Sequence, residues 1–145
     1  SIGHDVYLEC LRKNGRSVEE GVVIAGSWAI VSDDPEREAH AVGPHALYQS
    51  NQYIEWGAFG PPDATPRFPD AATALQQGLY QLWDAERAVT EITALLRKYP
   101  QIRDLHFWAR LPGETVAAGH RRVEYMARHV LPRVRETLRS GSLSQ

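Results

Sequence analysis

The side chains in this sequence that could do chemistry are chiefly aromatics and amides. From position 48 the chain reads YQSNQYIEW, which sets Tyr48, Tyr53 and Trp56 beside Gln49, Asn51 and Gln52. Such a mixture suits a pocket for a flat, partly apolar molecule: the rings supply contact area and the amides fix orientation. It suits equally a loop whose rings pack onto the core, and residue types alone leave both roles open. Further on, LHFWAR places His106, Trp108 and Arg110 on alternating positions. A guanidinium fork matches carboxylate or phosphate, so Arg110 either meets an anionic ligand or makes a surface ion pair. His106 points either into a site or away from it. Trp28, inside the run VVIAGSWAIV, either faces a ligand or fills the core.

Several chemistries are excluded. His40 and His45 are five residues apart and His120 and His129 nine, whereas two ligands on one helix face need a spacing of about four. No metal site is expected. The pattern GxSxG is absent, and Cys10, the only cysteine, lies on a short expected helix without an adjacent histidine. One cysteine permits no internal disulfide and fits a reducing cytoplasm. Gly57 and Gly60 lack the dinucleotide-binding fingerprint and precede prolines. The net charge of −2 arises from interspersed acids and bases without a basic stripe, so nucleic acid is not an expected partner. No apolar run approaches the roughly 20 residues that span a bilayer, and no membrane association is expected. No residue stands out as catalytic.

The elements that must position these side chains follow from local patterns. With 145 residues, 43% hydrophobic and 23% charged, the chain is read as one folding unit over 1–145. A short helix is expected from Asp5 to the Asn14-Gly15 stop. The run from Val22 to Val31 is apolar and rich in β-branched residues, as in a parallel strand buried on both faces. Ser32, Asp33 and Asp34 then offer caps, with Pro35 at the first helical position, and a helix is expected to about Gln49. Residues 50–70, rich in proline, glycine and aromatics, read as a long loop, either a functional lid or a connector. Helices follow over 71–82 and after Asp84, with Pro100 ending the second. Leu105 to Ala109 forms a second short strand, and Leu111-Pro112-Gly113 turns the chain. From Thr115 an amphipathic helix runs on, kinked or divided by Pro132.

Taken in order, the segments WAIVSDDPEREA, RDLHFWARLPG and RRVEYMARHVLPRVRE resemble the C-terminal part of the bacterial-luciferase-like, flavin-dependent monooxygenase family. The resemblance covers most of the chain and rests on the order and separation of segments, since none is a sharp catalytic signature. It implies an α/β fold: a helix-rich partial (β/α) barrel, the last two or so βα units of a TIM-barrel-like fold. A whole barrel needs eight strands and about 200 residues or more. It also implies FMN, or a deazaflavin in related branches, and insertion of oxygen into a small organic substrate. The strands that build much of the family's flavin site have no counterpart here. A homo-oligomer, or the missing N-terminal barrel portion, is therefore the expected partner, and this chain alone need not bind flavin. The alternative is a non-catalytic α/β oligomerisation or binding module derived from that barrel.

In a barrel, sites gather at the C-terminal ends of the strands. That geometry selects Trp28, Tyr48, Gln49, Asn51, Tyr53, Trp56, His106, Trp108 and Arg110 as candidates for a substrate or flavin pocket.

Overall fold

The computed structural model describes residues 2–141. The expected strand at Val22 to Val31 forms as two pieces, β1 (Val23–Ser27) and β2 (Ala29–Val31), interrupted at Trp28. β1 pairs in parallel with β4 (Ile102–Phe107), and β2 pairs in parallel with β3 (Gln81–Trp83). One extended stretch thus serves two ladders in turn. Burial follows the pattern that a parallel strand requires, but only in β2. Ala29 and Val31 pack with Ala88, Val89 and Ile92 of helix α4 (Ala85–Lys98), and with Val130 and Val134 near the C-terminus. Ile30 faces the other way, against Ala39, Val42 and Ala46 of helix α2 (Pro35–Glu55). Fully burying side chains such as Ile30, Val31 and Val130 contributes about 1.5 to 3 kcal/mol each. β1 alternates between half-buried and exposed residues, and Ile24 is 59% exposed.

Helix α2 starts as its sequence dictates. The Asp34 carboxylate accepts the Arg37 N–H at 3.1 Å, and Pro35 occupies the first turn. It does not stop near Gln49. Its buried stripe of Ala39, Val42, Ala46, Ser50 and Ile54 keeps helical spacing, so the first residues of the expected loop are helical to Glu55. Pro44 lies inside this helix on its exposed side, where water can meet the carbonyl that a proline leaves unbonded. The remaining loop holds a 3₁₀ turn at Pro62–Ala64 and is tied to α2 by Asn51. The Asn51 amide donates to the Phe68 carbonyl at 3.0 Å and accepts the Phe68 N–H at 2.9 Å.

The helix expected over 71–82 ends early. Helix α3 (Ala71–Gln76) closes with the Leu79 N–H on the Ala74 carbonyl and the Gly78 N–H on the Leu75 carbonyl, with Gly78 at φ +82°. This is a Schellman motif, whose left-handed position glycine adopts without strain. The chain released by it forms β3, where a continuing helix is expected from the local pattern. Helix α1 (Ile2–Lys13) ends at Asn14-Gly15, with Gly15 at φ +70°.

β4 is shifted from the expected Leu105 to Ala109: it starts at Ile102 and leaves Trp108 and Ala109 beyond its end. Helix α5 (Val116–Tyr125) begins at the Thr115 cap and passes through a π-helical turn (Met126–Val130) into helix α6 (Leu131–Gly141). Pro132 explains the wide turn. It cannot donate to the Arg128 carbonyl, and the Leu131 N–H instead reaches back to Met126. The Tyr125 hydroxyl accepts the Ala85 N–H at 3.1 Å, fastening this helix to the start of α4.

The fold is mixed α/β and helix-rich, and the described strands do not close into a barrel. Among the described residues no helix is long and apolar enough to cross a membrane.

Candidate binding site

Trp28, at the break between β1 and β2, is the centre of an aromatic cluster. Its ring centroid lies 6.0 Å from Tyr53 and 6.1 Å from each of Phe59, Tyr80 and Trp108. The contacts with Phe59 and Trp108 are edge to face, at 82° and 83°, a geometry that the ring quadrupole favours. Each element delivers its ring for a local reason. The Trp28 carbonyl is fixed by the Gln81 N–H at 2.8 Å, and Tyr53 rides on the unexpected last turn of α2. Tyr80 follows the Schellman turn. Trp108 emerges from the end of β4 and lies over Gly26, where a Cβ would come within 3.1 Å of the indole.

Beside the cluster is a cavity of about 280 Å³ lined by Trp28, Gln49, Tyr53, Tyr80, Trp108, Arg110 and the Leu111-Pro112-Gly113-Glu114 turn. That turn is held firmly. Arg122, whose side chain is 4% exposed, donates to the Ala109 carbonyl at 2.8 Å, to both oxygens of Glu114 at 2.6 and 2.8 Å, and to Glu38 at 2.5 Å. The Glu114 carboxylate also accepts the Leu111 N–H at 2.8 Å. Burial pushes the Glu114 carboxyl up, but the Arg122 and Leu111 hydrogen bonds outweigh it and hold the group below its ordinary range. Burial likewise opposes the Arg122 charge, and its two carboxylate partners more than restore it. Gly113, at φ +79°, sits so close to His45 that a Cβ would overlap the imidazole.

The polar groups facing the cavity are mostly donors. Tyr80 is 5% exposed, and its hydroxyl has no hydrogen-bond partner among the described residues. Burial raises its pKa, with Glu114 and Tyr53 reinforcing the shift and Arg122 opposing it, so the phenol keeps its proton. The Gln49 amide and the Arg110 guanidinium also have no partner among the described residues. Glu114, the one acid in the lining, is committed to Arg122.

Five of the nine candidates therefore converge on the cavity: Trp28, Gln49, Tyr53, Trp108 and Arg110. Tyr48 and Trp56, each 71% exposed, line a shallower depression beside it with His45, Gln49, Gln52 and Tyr53. Asn51 does not face the cavity; its amide fastens the loop at Phe68. His106 lies exposed on β4, in register with Gly26, and does not line the cavity. Tyr80, Glu114 and Arg122 were not singled out by the sequence. Gly78 carried the signal for the turn that delivers Tyr80, but nothing in the pattern separates Arg122 from Arg121.

A larger groove of about 1000 Å³ runs between the start of α2 and α5, but much of its charge is internally paired. Arg37 meets Asp34, Arg128 meets Glu124, and Arg122 meets Glu38 and Glu114. Among the described residues no group of three or more His, Cys, Asp or Glu could hold a metal ion.

The flavin that the family resemblance implies fits this cavity only in part. Its aromatic wall suits one face of a planar ring. Its volume, however, falls below the roughly 300 to 1,000 Å³ typical of sites for larger ligands, and its lining includes no residue from the first turn of a described helix, where backbone N–H groups would receive a phosphate. The residues present do not fit a whole FMN. Compared with family models, curated proteins and solved structures, the chain matches none.

Proposed function

We propose that this chain is part of a flavin-dependent, luciferase-like monooxygenase, and that it supplies the substrate-side pocket rather than the cofactor cradle. One observation carries the reading: aromatic rings and unpartnered donors meet at the C-terminal end of β4 and at the β1–β2 break, where the resemblance expects a substrate pocket. On this reading the strands are the closing βα units of a TIM-barrel-like fold, and the remaining wall comes from further copies or another barrel portion. Exposed Val22, Ile24 and Trp108 provide apolar surface for that contact, at 50%, 59% and 49% exposure. Since the cavity does not fit a whole FMN, no chemical step is assigned to these residues; they bind, orient and exclude water.

The test is a fluorescence titration of oxidised FMN and riboflavin with the purified chain, read beside its assembly state. The reading predicts quenching only by an assembled form, with a Kd on the order of micromolar. Failure of every assembled form to bind either flavin contradicts it. The second reading, a non-catalytic binding module, draws its support from the missing phosphate cradle and would then stand.

A further inference from the structure

The donors around the cavity specify its ligand more narrowly than its shape does. The Tyr80 hydroxyl is on a residue more than nine-tenths buried and has no acceptor among the described residues. The hydroxyl oxygen is not among the buried unpartnered atoms, so it opens to the cavity from a largely buried ring, and an acceptor brought by a ligand can take its hydrogen bond. Gln49 presents a second unused amide, and Arg110 a guanidinium without an acid partner. The Arg110 backbone is fixed even though its side chain is free. Arg122 grips the neighbouring Ala109 carbonyl, and Gly119 of α5 packs beneath, where a Cβ would come within 3.2 Å of the Arg110 Cβ. A cation on such an anchored backbone is held beside the cavity without being neutralised. Glu114 cannot serve a cationic ligand, because Arg122 and the Leu111 N–H already occupy it.

From this arrangement we propose that the cavity binds a small aromatic carboxylate, its ring against Trp28 and Trp108 and its carboxylate met by the donors of Arg110, Tyr80 and Gln49. A volume of about 280 Å³ accepts one or two fused rings with a short acid arm. The inference rests on the monooxygenase reading only in calling this ligand the substrate; the binding itself needs no flavin.

Phenylacetate and its neutral isostere phenylacetamide are titrated into the full chain without flavin, following tryptophan emission. Phenylacetate is expected to bind with a Kd on the order of 1 mM, and phenylacetamide roughly tenfold or more weaker, since charge-assisted hydrogen bonds are the stronger ones. Arg110→Gln removes the preference and Arg110→Lys keeps part of it. Tyr80→Phe weakens the acid severalfold and the amide by less. Because Arg110 is exposed, its variants keep the wild-type circular dichroism. Equal binding of acid and amide, undiminished acid binding by Arg110→Gln, or no saturation by roughly 20 mM phenylacetate overturns the proposal. Acid binding without any flavin binding refutes the enzyme reading alone, and flavin binding without an acid preference refutes this inference alone.

Discussion

Arg122 shows how one residue can set the geometry of a site it does not line. Its guanidinium joins α5 to Glu38 on α2 and to Glu114 and Ala109 in the turn that walls the cavity. Removing it strands two carboxylates, one of them with a side chain 8% exposed, and breaking a buried pair in this way costs about 3 to 5 kcal/mol. Arg122→Ala is therefore expected to lower urea-unfolding stability by that amount. The pH dependence follows from the depressed Glu114 carboxyl. A folded value below the unfolded one gives stability that is present above the unfolded value, about pH 4.3, and lost as pH falls through the folded value. Glu114→Gln should flatten that acid limb; an identical limb in the variant would show that the pairing adds nothing. The sequence exposed Trp28, Gln49, Tyr53, Trp108 and Arg110 because aromatics, amides and a guanidinium beside strand ends are legible by type. Arg122 was hidden because its importance comes from burial, which the adjacent pair Arg121-Arg122 does not reveal.

At the scale of elements, the signals that act within a few residues were the most legible. The Asp34 cap with Pro35, the Asn14-Gly15 stop and the start of the last helix at Thr115 all appear where local chemistry put them. What the sequence concealed depends on partners far along the chain. β3 is three residues long and exists because β2 offers it a parallel ladder. Helix α2 runs past its expected end because Ser50 and Ile54 continue the stripe that packs inward. Two glycines separate local strain from packing. Gly78→Ala places a side chain at φ +82° with its nearest neighbour 3.9 Å away, so strain alone should cost about 1 to 2 kcal/mol. Gly113→Ala adds a collision with His45 at φ +79° and should cost more, while also loosening ligand binding at the cavity. Thermal unfolding of the two variants checks the order; equal losses would mean that the β4–α5 turn yields to the added methyl.

The whole molecule is less covered on one side than a parallel sheet normally is. β2 is buried on both faces, yet β1 exposes Ile24, and Trp108 and Val123 stand about half exposed nearby. Covered surfaces are the rule for parallel strands, so this face is where another copy or barrel portion is expected to sit. The sequence shows two strands, the first of which forms as β1 and β2; with β3 added, the described strands make two two-stranded ladders and close no barrel. We propose that the pocket becomes part of a flavin enzyme once that side is covered. The most direct measurement is sedimentation velocity of the chain with FMN, following protein and flavin absorbance together, for the wild type and for Ile24→Lys. The account predicts that flavin moves with a species heavier than the 16.3 kDa monomer, and that Ile24→Lys shifts both signals toward monomer and free flavin. A compact monomer that leaves all the flavin behind, unchanged by Ile24→Lys, would contradict it.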